Sequence, residues 1–260
     1  MTQELPQGFY TTFSTLSQGT KVMGLRAHLY RLYGAAVQNG ITPSVDEKTL
    51  RMRVAAFTKA NLPKESRVRL ILTKDDGMIH AGIQTFEPHP QHIYEHGVKV
   101  ITTEMARHDP RVKDTGFITS STKQRRQVGR DVFEVLLVKH GQVLEGMTSN
   151  FYAIKGNVLV TARRGILLGV TRRAILRLAR GQGMSIEYRA PNLDEKFNEA
   201  FLTSSSRGVV PIVSIDHVPV GRGSVGKWTK ILSKAYQSYV EERSEFLIQQ
   251  IIFSEKEIPQ

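Results

Sequence analysis

The chain has 260 residues, 40% hydrophobic, 8% aromatic and 23% charged, enough for one large domain or two modest ones with real cores. It contains no cysteine, which excludes disulfides, thiolate metal sites and a cysteine nucleophile, and which fits a reducing cytosol. The formal charge is +12, but the basic residues are scattered rather than interleaved with aromatics, so neither a nucleic-acid partner nor a metal is expected.

In chain order, residues 8–16 (GFYTTFSTL) are rich in β-formers and predict a strand. RAHLYRLYGAAVQNG predicts a helix, with Leu29, Leu32, Tyr33 and Ala36 at helical spacing and Gly40 as its stop. TPSVDEKTLRMRVAAFTKAN predicts a second helix that opens at the Pro-Ser pair and carries Val45, Leu50, Val54 and Phe57 on one side. SRVRLILTK alternates, DDG turns and MIHAGIQTF follows as a second strand, which makes a hairpin. VKVITT is a further strand.

The polar run RHDPRVKD reads as a connection, which divides the chain into a small N-terminal α+β domain (1–106), a connection (107–113) and a larger C-terminal α+β domain (114–260). STKQRRQVGRD is helix-like. FEVLLVKHGQVLEG and FYAIKGNVLVTA each read as strand, turn, strand. TRRAILRLARGQG is a helix capped by Thr171 and ended near Gly181. SIEYRA is a strand, LDEKFNEA a short helix, and AFLTSSSRGVVPIVSID two strands around a serine-rich loop. VGKWTKILSKAYQSYVEERSEFLIQQ closes the chain as a long helix, and IQQIIFSEKEIPQ extends it as packing or interface. No segment has the make-up of a signal peptide and no run of about 18 apolar residues occurs, so no membrane span is expected. Mixed helices and mostly hairpin-linked strands in both halves give an α+β fold class.

Three segments of the second half could carry chemistry. EGMTSN places Glu145 before a cluster of small polar residues. Gly169-Val170-Thr171 opens a helix, whose first N–H groups and dipole suit a phosphate. Thr203, Ser204, Ser205 and Ser206 put four consecutive hydroxyls between apolar strands. Each has a plain structural reading as well: a solvated turn glutamate, a helix cap, a polar turn.

Taken together, EGMTSNFYAIKGNVLVTA, GILLGVTRRAIL and FLTSSSRGVVPIVSID resemble the fold-type IV (class IV) pyridoxal phosphate enzymes in motif, order and spacing. That family includes branched-chain aminotransferases, D-amino-acid aminotransferases and aminodeoxychorismate lyases. The resemblance runs from about residue 8 to about residue 240 and is strongest over 113–212. It implies the two-domain D-amino-acid aminotransferase-like fold, pyridoxal 5'-phosphate as cofactor, amino acid and 2-oxo acid substrates, and a cytoplasmic homodimer.

Residue by residue, the resemblance makes Lys113 the Schiff-base lysine and the proton carrier, with Lys123 as a poorer match. Glu145 matches the acid that faces the pyridine nitrogen, and Arg31, in HLYRLYGAA, matches the phosphate-binding arginine. Val170 and Thr171 match the helix-start phosphate contacts, and Ser204 and Ser205 the second phosphate loop. Tyr10, in GFYTTF, matches an aromatic near the substrate pocket. Read from the sequence alone, Arg31 is an ordinary helix residue and Lys113 a surface lysine in a linker.

The chain departs from the family pattern in three places. Seven residues precede Gly8 where relatives have more and one further strand, so the first domain is expected to lack an edge strand or to pair differently. The Arg-x-His pair of D-specific members falls in KDDGMIHAGIQTF, which has His80 but no arginine, and argues against D-specificity. A tyrosine that some members place after the lysine is Ile118 here. The implied activity is aminotransfer to a 2-oxo acid, from a branched-chain or other aliphatic donor. The alternatives are an aminodeoxychorismate lyase that releases 4-aminobenzoate and pyruvate, or a non-catalytic basic binding protein on the same scaffold.

Overall fold

Alternating apolar residues make Gly8–Leu16 a strand, β1, and a four-residue turn returns the chain as β2 (Lys21–Val22). The structure, a computed structural model, describes residues 5–129 and 131–247. Helix α1 (Leu25–Gln38) buries Leu25, His28, Leu29, Leu32, Ala35 and Ala36, a stripe at helical spacing. Helix α2 (Glu47–Lys59) starts at Asp46, whose side chain accepts from the Thr49 N–H, and not at the Pro-Ser pair. It buries Leu50, Val54, Ala55 and Thr58, while Phe57 stays exposed. β3 (Ser66–Thr73) and β4 (Ile79–Thr85) form the expected hairpin, with β1 beside β3.

Cross-strand register sorts this sheet into two faces. Phe9, Thr11 and Phe13 point toward α1, where Thr11 bonds His28 and Phe13 lies 5.5 Å from its ring. Tyr10, Thr12 and Ser14 share the other face with Ile71, Arg69 and Arg67 of β3 and with His80, Gly82 and Gln84 of β4. The segment Lys113–Gly116 pairs with the free edge of β1: the Tyr10 N–H donates to the Lys113 carbonyl (2.8 Å) and Thr115 N–H to that of Gly8 (2.9 Å).

The larger sheet begins after α3 (His92–His96) with β5 (Val98–Glu104), followed by the short helices α4 (Gly116–Ser120) and α5 (Thr122–Arg125). It continues as β6 (Glu134–Lys139), β7 (Gln142–Gly146), β8 (Asn150–Lys155) and β9 (Val158–Val160). Helix α6 (Val170–Gly181) leads to β10 (Ser185–Glu187), β11 (Glu199–Ser204), β12 (Gly208–Ile215) and β13 (Val218–Pro219), and α7 (Lys227–Arg243) follows. Strand order is β10-β9-β8-β11-β12-β5-β6-β7, and β7 pairs back onto β8 through Glu145 and Asn150. That pairing closes β8, β11, β12, β5, β6 and β7 into a ring around an apolar core that includes Leu136, Phe151, Leu202 and Val210.

The last described strand, β14 (Glu245–Phe246), pairs with β2 and becomes an edge of the first sheet, so its order is β14-β2-β1-β3-β4. The C-terminal helix therefore ends at Arg243 rather than running through the following segment. The Glu245 carboxylate accepts from Arg51 (3.3 Å), and Leu247, which is buried, donates its N–H to the Thr20 carbonyl (3.0 Å). LDEKFNEA is not helical either. Its backbone bonds to neighbouring hairpins, Leu193 N–H to Gly141 and Asn198 N–H to Ile154, and Arg189 holds Glu195 at 2.6 and 2.7 Å.

The chain forms two compact units, each drawn from separated stretches. One takes the described residues up to Pro88, Lys113–Gly116 and those from Val240 on; the other takes His89–Val112 and Phe117–Tyr239. A single cut in the sequence cannot produce this division. β5 lies between β12 and β6 in the larger sheet, and β14 returns to the smaller one. The extension over 248–260 lies outside the described residues, as does Arg130.

Candidate active site

In the first unit the structure brings Lys113, Tyr10 and Arg31 around His28. The pairing with β1 fixes the Lys113 backbone, and its Nζ stands 4.9 Å from the centre of the Tyr10 ring. Lys113 is half-buried, while Lys123 is exposed on α5. Arg31, half-buried on α1, donates from Nη2 to Thr11 Oγ1 at 3.1 Å. The same hydroxyl lies 2.7 Å from His28 Nδ1. Burial, then the positive charges of Arg31 and Lys113, hold the His28 pKa well below its ordinary 6.5. With the ring neutral, the Thr11 hydroxyl can accept from Arg31 while donating to Nδ1.

In the second unit the acid is built into the ring closure. Glu145 is 1% exposed on β7, opposite Asn150 of β8. Arg107 Nε donates to its Oε1 at 2.7 Å, and the Leu167 N–H donates to Oε2 at 3.0 Å. Arg107 is itself buried, donates from Nη2 to the Met147 carbonyl (2.9 Å), and lies 3.7 Å from the Phe117 ring centre. A buried carboxylate needs such a counter-charge. Asn150 Nδ2 donates to the Leu167 carbonyl at 2.7 Å, so Glu145 and Asn150 grip both polar groups of one residue. This clamp sets the loop that leads into α6. At Gly169 a Cβ would stand 2.3 Å from Asn150 Oδ1, which is why the position holds glycine.

Helix α6 starts at Val170 with Gly169 as its N-cap and no side-chain cap. Thr171 is thus a first-turn residue rather than the cap. Its Oγ1 accepts from the Tyr236 hydroxyl at 3.4 Å. The Tyr236 ring stands 3.5 Å from where a Cβ on Gly208 would project, so this tyrosine ties the helix start to the turn holding Ser204 and Ser205. Burial pushes the pKa of the Tyr236 hydroxyl up. Ser204 Oγ is buried without a hydrogen-bond partner among the described residues. An uncapped helix start of twelve residues and an orphaned hydroxyl fit an anionic group such as a phosphate, as the implied cofactor requires.

The other polar residues of EGMTSN serve a second acid. Glu134, 1% exposed on β6, accepts from Thr148 (2.5 Å), Ser149 (3.3 Å) and Arg207 (2.8 Å). Arg207 follows the serine turn, so Glu134 anchors that turn to the β7–β8 connection. Sequence reading missed Arg107, His28, Glu134 and Tyr236. Among the described residues no group of three or more His, Asp or Glu could hold a metal, and no helix is long and apolar enough to cross a membrane.

Residues 8–215 match the family described as Amino-transferase class IV. The D-alanine aminotransferase of Bacillus licheniformis is 30% identical over 234 residues, covering 83% of this chain and 82% of the relative. The crystal structure of a T.th. branched-chain amino acid aminotransferase with pyridoxamine 5'-phosphate shares the fold, with a TM-score of 0.81 at 18% identity over 93% of this chain and 90% of that one. The branched-chain aminotransferase of Thermoproteus uzoniensis with norvaline gives a TM-score of 0.77 at 20% identity over 93% and 90%. The chain belongs to the class IV aminotransferases, fold-type IV enzymes that use pyridoxal phosphate.

Proposed function

We propose that the chain moves an amino group from an amino acid to a 2-oxo acid, with Lys113 as the reactive amine. Bound pyridoxal phosphate supplies an aldehyde carbon and an electron-withdrawing pyridine ring. Lys113 holds that aldehyde between turnovers. Once displaced by the donor's amine, its Nζ takes the proton from the donor's Cα and later returns it for the second substrate. Glu145 keeps the ring nitrogen charged, and Arg107 keeps Glu145 in place. Arg31, the start of α6 at Val170 and Thr171, and Ser204 with Ser205 hold the phosphate. Tyr10 lies along the substrate. The same reading makes the enzyme a cytoplasmic homodimer, which rests on the family alone.

The observation that carries this reading is Glu145: a carboxylate 1% exposed, counter-charged by Arg107 and clamped to Leu167 in the loop that leads into α6. Adding an amino acid alone to the cofactor-loaded enzyme tests it. The lysine-linked cofactor absorbs in the near-ultraviolet and visible region, and an aminotransferase loses that band without any 2-oxo acid present. A band that persists with every amino acid but decays with aminodeoxychorismate would assign the lyase reaction instead.

A further inference from the structure

The open face of the small sheet, opposite α1, holds a cavity of about 330 Å³. Arg67, Arg69, Ile71, His80, Gly82 and Gln84 line it, and register alone puts all six on that face. Gly82 sits directly across from Arg69, and a Cβ there would meet nothing closer than the Arg69 carbonyl at 4.0 Å. The missing side chain is therefore the space beside the arginine.

The lining is basic and contains no aspartate or glutamate. Arg69 forms no ion pair with a described carboxylate; its guanidinium faces the Tyr10 ring, 6.0 Å away. Lys113 Nζ stands 4.9 Å from the same ring centre. The guanidinium and the reactive amine are thus no further apart than those two distances laid end to end, with an aromatic ring as their common wall. A guanidinium in a recess binds a carboxylate through paired N–H donors.

We infer that Arg69, with Arg67 and His80 beside it, forms a carboxylate subsite that selects amino donors bearing a second, side-chain carboxylate. The inference rests on the proposed reaction at Lys113. The α-carboxylate of any amino acid is bonded directly to the carbon that reacts, so it must stay close to the amine. An anion site set off from Lys113 by the Tyr10 ring, and roomy enough for more than one carboxylate, matches a group further out on the donor. This changes the expected donor from an aliphatic amino acid to an acidic one. The arginine that D-specific members carry beside their histidine is absent from β4, but the neighbouring strand β3 supplies two.

The test uses Arg69→Leu in the cofactor-loaded enzyme. Both enantiomers of glutamate and aspartate are compared with those of alanine and leucine, reading kcat/KM for loss of the absorption band. The wild type should favour the acidic donors, and Arg69→Leu should cut the acidic-to-aliphatic ratio by about 30-fold or more, as expected for one charge-assisted pair. A second arm needs no turnover. Glutarate, which has two carboxylates and no amine, should bind the loaded wild type more tightly than butyrate, and Arg69→Leu or Gly82→Leu should abolish the difference. An equal loss for all donors would give Arg69 to the α-carboxylate and overturn the inference. So would an unchanged ratio, or no preference for glutarate. If no donor reacts but glutarate still discriminates, the proposed reaction fails and the subsite stands.

Discussion

Glu145 and Arg107 show what burial does to single residues. Removing one member of a buried ion pair leaves the other charge without compensation, at a cost of about 3–5 kcal/mol. Glu145→Gln keeps the shape and removes the charge. It should lower the melting temperature and cut half-reaction turnover by about 100-fold or more. Adding Arg107→Met to that variant should recover most of the stability and none of the turnover, which thermal melts and kinetics on the same samples will separate. His28 makes a pH prediction. Its pKa in the fold is held below 6.5, so the unfolded chain binds the proton first on acidification. The stability tied to a neutral His28 is therefore intact above pH 6.5 and falls as the pH drops below it, until the depressed folded pKa is passed. Denaturant melts from pH 7.5 to 5 should show this slope in the wild type and a flatter one in His28→Gln. Glu145 was legible in the sequence because its motif surrounds it. Arg107 was not, because its partner is 38 residues away and its own neighbourhood reads as a polar linker.

At the scale of elements, the loop before α6 is set by contacts rather than by propensity. Gly169→Ala would drive a methyl to 2.3 Å from Asn150 Oδ1, so the clamp on Leu167 or the helix start must shift. The expected cost is about 1–3 kcal/mol, together with weaker cofactor binding measured by fluorescence titration. The return of the chain to β2 can be tested in the same way. Leu247 is 1% exposed, and Leu247→Ala should cost about 2–4 kcal/mol in denaturant melts; a change below about 0.5 kcal/mol would mean that this segment does not pack as described. Strands were legible wherever residues alternate, as in SRVRLILT and GFYTTFSTL. Helices were legible where an apolar stripe repeats, as in α1. LDEKFNEA failed because helix-forming residues there bond to hairpins distant in sequence. The final helix was drawn too long because nothing local to SEFL announces a strand partner at Lys21–Val22.

For the whole molecule, the cofactor is also a stabiliser. Anything that binds only the folded chain adds about 2.7 kcal/mol at a concentration a hundred times its Kd, so removing pyridoxal phosphate should lower the melting temperature and restoring it should raise it again. The pairing of Lys113–Gly116 with β1, and of β14 with β2, joins stretches that no reading of local pattern could join. The fold class and the family were nonetheless legible, because three short motifs stand in the right order. The central claim is that Lys113 is the amine that carries the cofactor. Borohydride reduction of the cofactor-loaded protein, followed by peptide mass mapping, tests it most directly. The account predicts one pyridoxyl adduct, on Lys113, and none in Lys113→Ala. An adduct on Lys123 or any other lysine, or no adduct at all in folded protein, would contradict it.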